Sequence, residues 1–176
     1  MSKYESTIDL DRCISKISRR DHTAVEELYR EFSGAVYKYA LVILRDTGLA
    51  EDAMQNTFLR IMASAGTYKL GTNPRAWIFK ITRNVCMDIH NSKIPSADDV
   101  EPEILSDDHS INDVSEAIAV REAVSRLTDR EREVLSLYLF GGLKQTEIAK
   151  IMGLSYVRVR SIYECAIKKL RKEFCE

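Results

Sequence analysis

Near the carboxyl end of this 176-residue chain, Ser155, Tyr156, Arg158, Arg160 and Ser161 fall within two turns of a predicted helix. A guanidinium can fork onto a phosphate or onto the two acceptors of a guanine edge, and hydroxyls bond to either. These types at this spacing point to duplex DNA, with base and phosphate contacts both open for each residue. The surrounding stretch, LKQTEIAKIMGLSYVRVRSIYECAIKKL (143–170), supplies the means of positioning them. Ala149 is small enough to let two helices approach, and Gly153 takes a left-handed turn cheaply. Ser155 is a helix N-cap. Val159, Tyr163, Ala166 and Leu170 make an apolar stripe, which leaves Tyr156, Arg158, Arg160, Ser161, Glu164 and Lys168 on the other side. This is a helix-turn-helix, whose second helix enters the major groove through its first turns. The cluster Lys168, Lys169, Arg171 and Lys172 alone would read as a solvated face; the turn glycine, the small residue and the cap favour DNA.

A second basic segment is NPRAWIFKITRNVCMDIHNSK (73–93). Asn73-Pro74 reads as an N-cap followed by the proline of a first helical turn. Ile78, Ile81, Val85 and Ile89 form its inward stripe. Trp77 and Phe79 read as core, and Arg75, Lys80, Arg83, Asn84 and Asp88 lie partly outward. Basic groups and amides beside the glycine-containing loop 66–72 suit single-stranded or distorted DNA, where bases are splayed out and held.

The elements that must carry these groups are helical. Glycine (7) and proline (3) are few, and 45% of residues are hydrophobic. The net charge of −1 hides a division. Residues 1–93 hold 14 Lys/Arg against 11 Asp/Glu, 94–120 hold eight acids and no Lys/Arg, and 121–176 hold 12 basic against 8 acidic residues. The fold class is all-α: two small helical domains joined by a flexible acidic linker. The domains are residues 1–93 and 113–176, with 94–112 as linker. A coil of that length spans roughly 25 Å between its ends and about 60 Å when stretched, against about 34–36 Å for a turn of DNA.

In the first domain, from about Thr7, Thr23 and Glu26 have capping-box spacing and open a helix. Ala35–Leu44 reads as a separate buried helix, and Gly48 precedes a third from Leu49 to about Ala65. The second domain reads as four helices from Asp113. Thr128 and Glu131 form another capping box, with Val134, Leu135 and Tyr138 inward, and Gly141-Gly142 ends that helix.

Four segments in this order resemble one family: AEDAMQNTFLRI (50–61), NPRAWIFKITRN with Asp88 (73–88), LTDREREVLSLYLFGGL (127–143) and the helix-turn-helix. They are similar to the sigma-70 family of bacterial RNA polymerase sigma factors, nearest to its extracytoplasmic-function (ECF) group. The resemblance implies that residues 1–93 are sigma region 2 and 113–176 are sigma region 4. It implies core RNA polymerase as a partner, gripped through Asp52, Gln55, Asn56 and Arg60; carboxylate and amides there would complement a basic coiled coil. It implies promoter DNA as a second partner. The minus-ten element would meet the 64–88 region, including Arg75, Lys80, Arg83, Asn84 and Asp88, and the minus-thirty-five element would meet the recognition helix. It implies an anti-sigma factor as a further partner. Ile162, Cys165 and Ile167 depart from the family, which is more often basic there.

Other functions fit less well. Response regulators share LT-x-RE-x-EVL before a helix-turn-helix, yet residues 1–93 lack alternating strands and helices. A sigma-like adaptor would bind polymerase without supporting initiation. An enzyme would need a phosphate-binding glycine loop, a nucleophile–base set or metal spacing, and the chain has none of these. Cys13, Cys86, Cys165 and Cys175 form no CxxC pair, so no metal or cofactor is expected. With no 18-residue apolar run and no signal peptide, a cytoplasmic location is expected.

Overall fold

The computed structural model describes residues 8–92 and 124–174. The linker 94–112 and the start of the helix expected from Asp113 lie outside the described residues. Those described form seven α-helices and one 3₁₀ turn.

The first unit begins with α1 (Leu10–Ser18), whose first turn is capped by the Asp9 carboxylate accepting from the Arg12 N–H at 3.2 Å. Leu10, Cys13, Ile14 and Ile17 recur at helical spacing and are all buried. The long α2 (His22–Leu44) follows, then α3 (Thr47–Ser64) with the 3₁₀ turn Ala65–Thr67, then α4 (Pro74–Ser92). The second unit holds α5 (Asp129–Leu139), α6 (Gln145–Met152) and α7 (Tyr156–Phe174). In the first unit α2 packs on α1, α3 and α4; in the second, α5 and α6 pack on α7.

Three local expectations are corrected. The cap of α2 is Asp21, not Thr23: its carboxylate accepts from the N–H groups of Thr23 (3.0 Å) and Ala24 (3.4 Å), and Thr23 spends its hydroxyl on Asp21 (2.6 Å). An anionic acceptor at a helix N-terminus outcompetes a hydroxyl there. The separate helix at Ala35 is the second half of α2, which runs unbroken through Gly34. An interior glycine costs about 1 kcal/mol. Burying Leu28, Phe32, Val36 and Tyr39 along one stripe, at about 1.5–3 kcal/mol for each large apolar side chain, outweighs it. The next helix starts at Thr47, with Gly48 inside its first turn, because the Asp46 carboxylate caps Leu49 at 2.8 Å.

Other signals hold. Thr128 and Glu131 make both bonds of the capping box. Asn73 accepts from the Ala76 N–H at 3.1 Å, and Gly153 has φ 65°. Within α5, Val134 and Leu135 are inward, but Leu137 rather than Tyr138 completes the buried set. Tyr138 is exposed and stacks on Tyr163 with ring centroids 5.0 Å apart. On α4, Ile78 and Val85 are buried with Phe79, Thr82 and Cys86, whereas Ile81 and Ile89 are half-buried.

The two units are in contact. Helix α5 lies on α2, and α6 meets α4. Val134, Leu137, Leu143 and Ile148 belong to the same continuous apolar cluster as Phe32, Val36 and Tyr39.

Candidate nucleic-acid and polymerase interfaces

The first surface lies on α3. Asp52, Gln55 and Asn56 are exposed, one helical turn apart. Leu59, 61% exposed, and Met62 continue the same stripe. Their spacing from Gln55 and Asn56 was legible, but apolar residues at helical spacing read as core. An exposed apolar pair flanked by a carboxylate and amides is the composition of a protein-docking face. Arg60 is exposed at one edge and reaches across to α4, its guanidinium 2.8 Å from the Asp88 carboxylate. Arg60 and Asp88, assigned from sequence to different surfaces, are therefore a bridge between them.

The second surface lies on α4 and the loop before it. Lys80, Asn84 and Asp88 form one exposed line at four-residue spacing. Arg75 is half-buried with its guanidinium carbon 4.9 Å over the Phe32 ring. Arg83 turns towards the second unit, where its Nε lies 2.6 Å from a Glu133 carboxylate oxygen. The structure thus brings Lys80, Asn84 and Asp88 together and sets Arg75 and Arg83 apart from them.

The loop between α3 and α4 is held by residues that spacing does not reveal. The Tyr68 hydroxyl donates to the Asp11 carboxylate at 2.7 Å and lies 3.0 Å from the Thr72 carbonyl, and the Gly71 N–H donates to the same Asp11 oxygen at 3.3 Å. Burial first, and the neighbouring Asp11 carboxylate next, push the Tyr68 phenol up to about 12. The Tyr68 ring packs on Trp77, centroids 5.3 Å apart. Gly71, at φ 80°, makes the turn that a side chain would strain. Leu70 stands at the tip, 67% exposed. Asp11 sits 57 residues from Tyr68 in sequence, so only the fold joins them.

The third surface is the helix-turn-helix. Helix α6 ends at Gly153, and Ser155 accepts from the Arg158 N–H at 3.2 Å to open α7. Val159 and Ala166 are fully buried, and Tyr163 and Leu170 are half-buried. Ser155, Tyr156, Arg158, Arg160 and Ser161 are all exposed on the opposite side. Arg160 is tied to Glu164 at 2.7 Å, an exposed pair whose hydrogen bond raises the guanidinium pKa further. Of the apolar departures, Ile162 and Ile167 are half-buried against core residues, and Cys165 is exposed. Two of the three are packing residues.

Three exposed helix faces and a shaped loop, divided between two units, are the arrangement that the family resemblance implies. Comparison with known proteins decides it. The family model described as sigma-70 region 2 matches residues 28–93, and the one described as sigma-70, region 4 matches residues 123–172. The chain belongs to the sigma-70 family. It is similar to the ECF RNA polymerase sigma factor SigM of Bacillus subtilis, 26% identical, with 84% of this chain and 93% of SigM covered. It is also similar to the RNA polymerase sigma factor SigZ of the same organism, 28% identical over 84% of this chain and 85% of SigZ. Its fold matches CnrH, solved in complex with the cytosolic domain of CnrY, at TM-score 0.69 and 22% identity, covering 93% of this chain and 96% of CnrH. It also matches the sigma factor RpoE of Bartonella quintana, solved with the anti-sigma factor NepR, at TM-score 0.64 and 20% identity, over 85% and 95% of the two chains. This ECF-type sigma factor is a transcription initiation factor: it binds core RNA polymerase, recognises promoter DNA and promotes initiation.

Proposed function

We propose a division of this work among the three surfaces. Asp52, Gln55 and Asn56, extended by Leu59 and Met62, dock on the polymerase, with Arg60 at the edge of that face. The α4 line and the loop 68–73 engage the minus-ten element, whose opened strand offers bases to the loop and phosphates to Lys80 and Arg83. The first turns of α7 read the minus-thirty-five element through Arg158 and Arg160, with Ser155, Tyr156 and Ser161 beside them. On this reading residues 1–93 act as region 2, 113–176 as region 4 and 94–112 as the tether. The observation that carries this reading is that Asp52, Gln55 and Asn56 on α3, Lys80, Asn84 and Asp88 on α4, and the five residues at the start of α7 are all exposed.

The chain itself does no covalent chemistry on this reading; polymerase supplies it. The working location is the cytoplasm, where polymerase and promoters are, and no described helix is long and apolar enough to cross a membrane. An anti-sigma factor is the expected antagonist, as NepR is described for the Bartonella RpoE.

The docking assignment is tested by Asp52→Lys with Gln55→Ala. We expect affinity for core polymerase to fall about tenfold, because a repulsive charge at a docking rim works against steering and fit. Unchanged affinity would remove α3 from the polymerase surface.

A further inference from the structure

Among the described residues, the large apolar side chains that stand furthest out into solvent are Leu59 at 61%, Leu70 at 67% and Val157 at 73% exposed. Leu59 falls within the docking face on α3, and Leu70 at the tip of the loop before α4. Val157 has no such account. It belongs to neither apolar cluster of the described residues, and a β-branched residue is a poor choice for an exposed helical position. A lone exposed aliphatic side chain is ordinary; what sets this one apart is where the helix points it.

Val157 sits in the first turn of α7, two residues after the Ser155 cap. At 3.6 residues per turn, successive side chains are rotated by about 100°. Val159, Tyr163, Ala166 and Leu170 then cluster around one inward direction, and Val157 points roughly 150° away from it. It leads the outermost line of the helix, with the exposed Ser161 one turn behind. Arg160 and Arg158 stand on either side of that line, about 60° and 100° from Val157. Arg160 is tied along its edge to Glu164 at 2.7 Å. A helix lying in a groove with this face inward turns Val157 to the floor and one arginine to each wall. The floor of the major groove carries base edges, and the walls carry phosphates. Donors and acceptors on that floor would lose water to an isopropyl group and gain no hydrogen bond in return. The apolar group there is the 5-methyl of thymine. Stiffness at χ1 means that Val157 gives up little freedom on meeting it.

We propose that Val157 is a specificity-determining residue, packing on the 5-methyl group of a thymine in the minus-thirty-five element while Arg158 and Arg160 hold the flanking strands. The inference rests on the reading of α7 as the recognition helix.

The test uses the full chain bound to core RNA polymerase. A minus-thirty-five duplex is first selected from a random pool. It is then resynthesised with uracil for thymine, one position at a time; uracil pairs as thymine does but lacks the methyl. Wild type should lose about fourfold in affinity at one or two positions, the worth of one methyl group kept from water, and nothing at the others. Val157→Ala should bind the thymine duplex severalfold more weakly and should no longer distinguish it from the uracil duplex at those positions. Alanine is the better helix former, so the circular dichroism should be unchanged. A selected element without thymine on either strand, or a wild type indifferent to uracil at every position, overturns the proposal. So does a Val157→Ala chain that keeps the fourfold preference, since the methyl is then sensed through DNA shape or by another residue. Arg158→Ala with Arg160→Ala separates the proposal from the reading beneath it. That variant should weaken binding to the thymine and uracil duplexes alike. If it binds both as wild type does, α7 is not the recognition helix, and the proposal falls with it.

Discussion

Helices α4 and α7 are of the same length, both are basic along one side, and both are assigned to DNA, yet they present their charges differently. On α7 the residues proposed for recognition are exposed, and the described ion pair of Arg160 with Glu164 stays within the helix. On α4, Arg83 is pledged to Glu133, Asp88 to Arg60, and the capping Asn73 to Glu147. The difference follows from what each helix packs against. Among the described residues, the Val159–Leu170 side of α7 packs inward and the residues opposite it at the start of the helix are exposed. Helix α4 is covered by its own unit on one side and approached by the other unit on the next. The outer face of α7 is thus exposed, whereas the line on α4 sits beside the contact between the two units.

The sharpest way to break this comparison is at the free face. Arg158→Ala with Arg160→Ala should lower affinity for a minus-thirty-five duplex by about a hundredfold, at roughly 1–3 kcal/mol per lost contact. Affinity for polymerase should hold, and a matched pair of binding titrations checks both. Arg83→Ala tests the occupied face. It leaves Glu133 buried without its counter-charge, which should cost about 3 kcal/mol of stability; a denaturant titration reads the loss, and anisotropy with a labelled single strand should show weaker binding. Tyr68→Phe is milder. It removes the hydroxyl that ties the loop to Asp11, a bond worth about 1 kcal/mol. Minus-ten opening, read by a fluorescent base at the melted step, should fall severalfold, with duplex binding by α7 unchanged. Glu131 offers a pH test. Burial alone would raise its carboxyl, but Lys169 and the Thr128 N–H hold it below its usual value. Its contribution is therefore present above the ordinary carboxylate range and lost as pH falls through the lowered value. Acid unfolding of wild type should be steeper there than that of Glu131→Gln, and a pH series of thermal midpoints reads the difference.

The sequence disclosed α7 almost completely, because a helix-turn-helix is specified locally: the cap, the left-handed glycine and the core stripe lie within about twenty-five residues of one another. The helix of α4 was equally legible from Asn73-Pro74. What escaped depended on distant parts of the chain. Thr23 looked like a cap until Asp21, a stronger acceptor, was seen to take that role. The apolar run from Ala35 read as a helix of its own, because the burial that carries α2 unbroken through Gly34 comes from α1, α3 and α4. Asp11 carries no signal of its own beyond a helix first turn. Glu131 and Glu133 are the hardest case. Sequence reading infers burial from apolarity, and a carboxylate buried by an ion pair contradicts that rule wherever its partner is 38 or 50 residues away.

The most direct test of the sigma-factor account combines the full chain with core RNA polymerase and a pool of genomic promoter fragments, followed by sequencing of the transcripts. The account predicts discrete new start sites sharing two upstream motifs, of which the distal one loses its influence in the Arg158→Ala, Arg160→Ala variant. Stable polymerase binding with no new start sites would contradict it and leave a polymerase adaptor in its place.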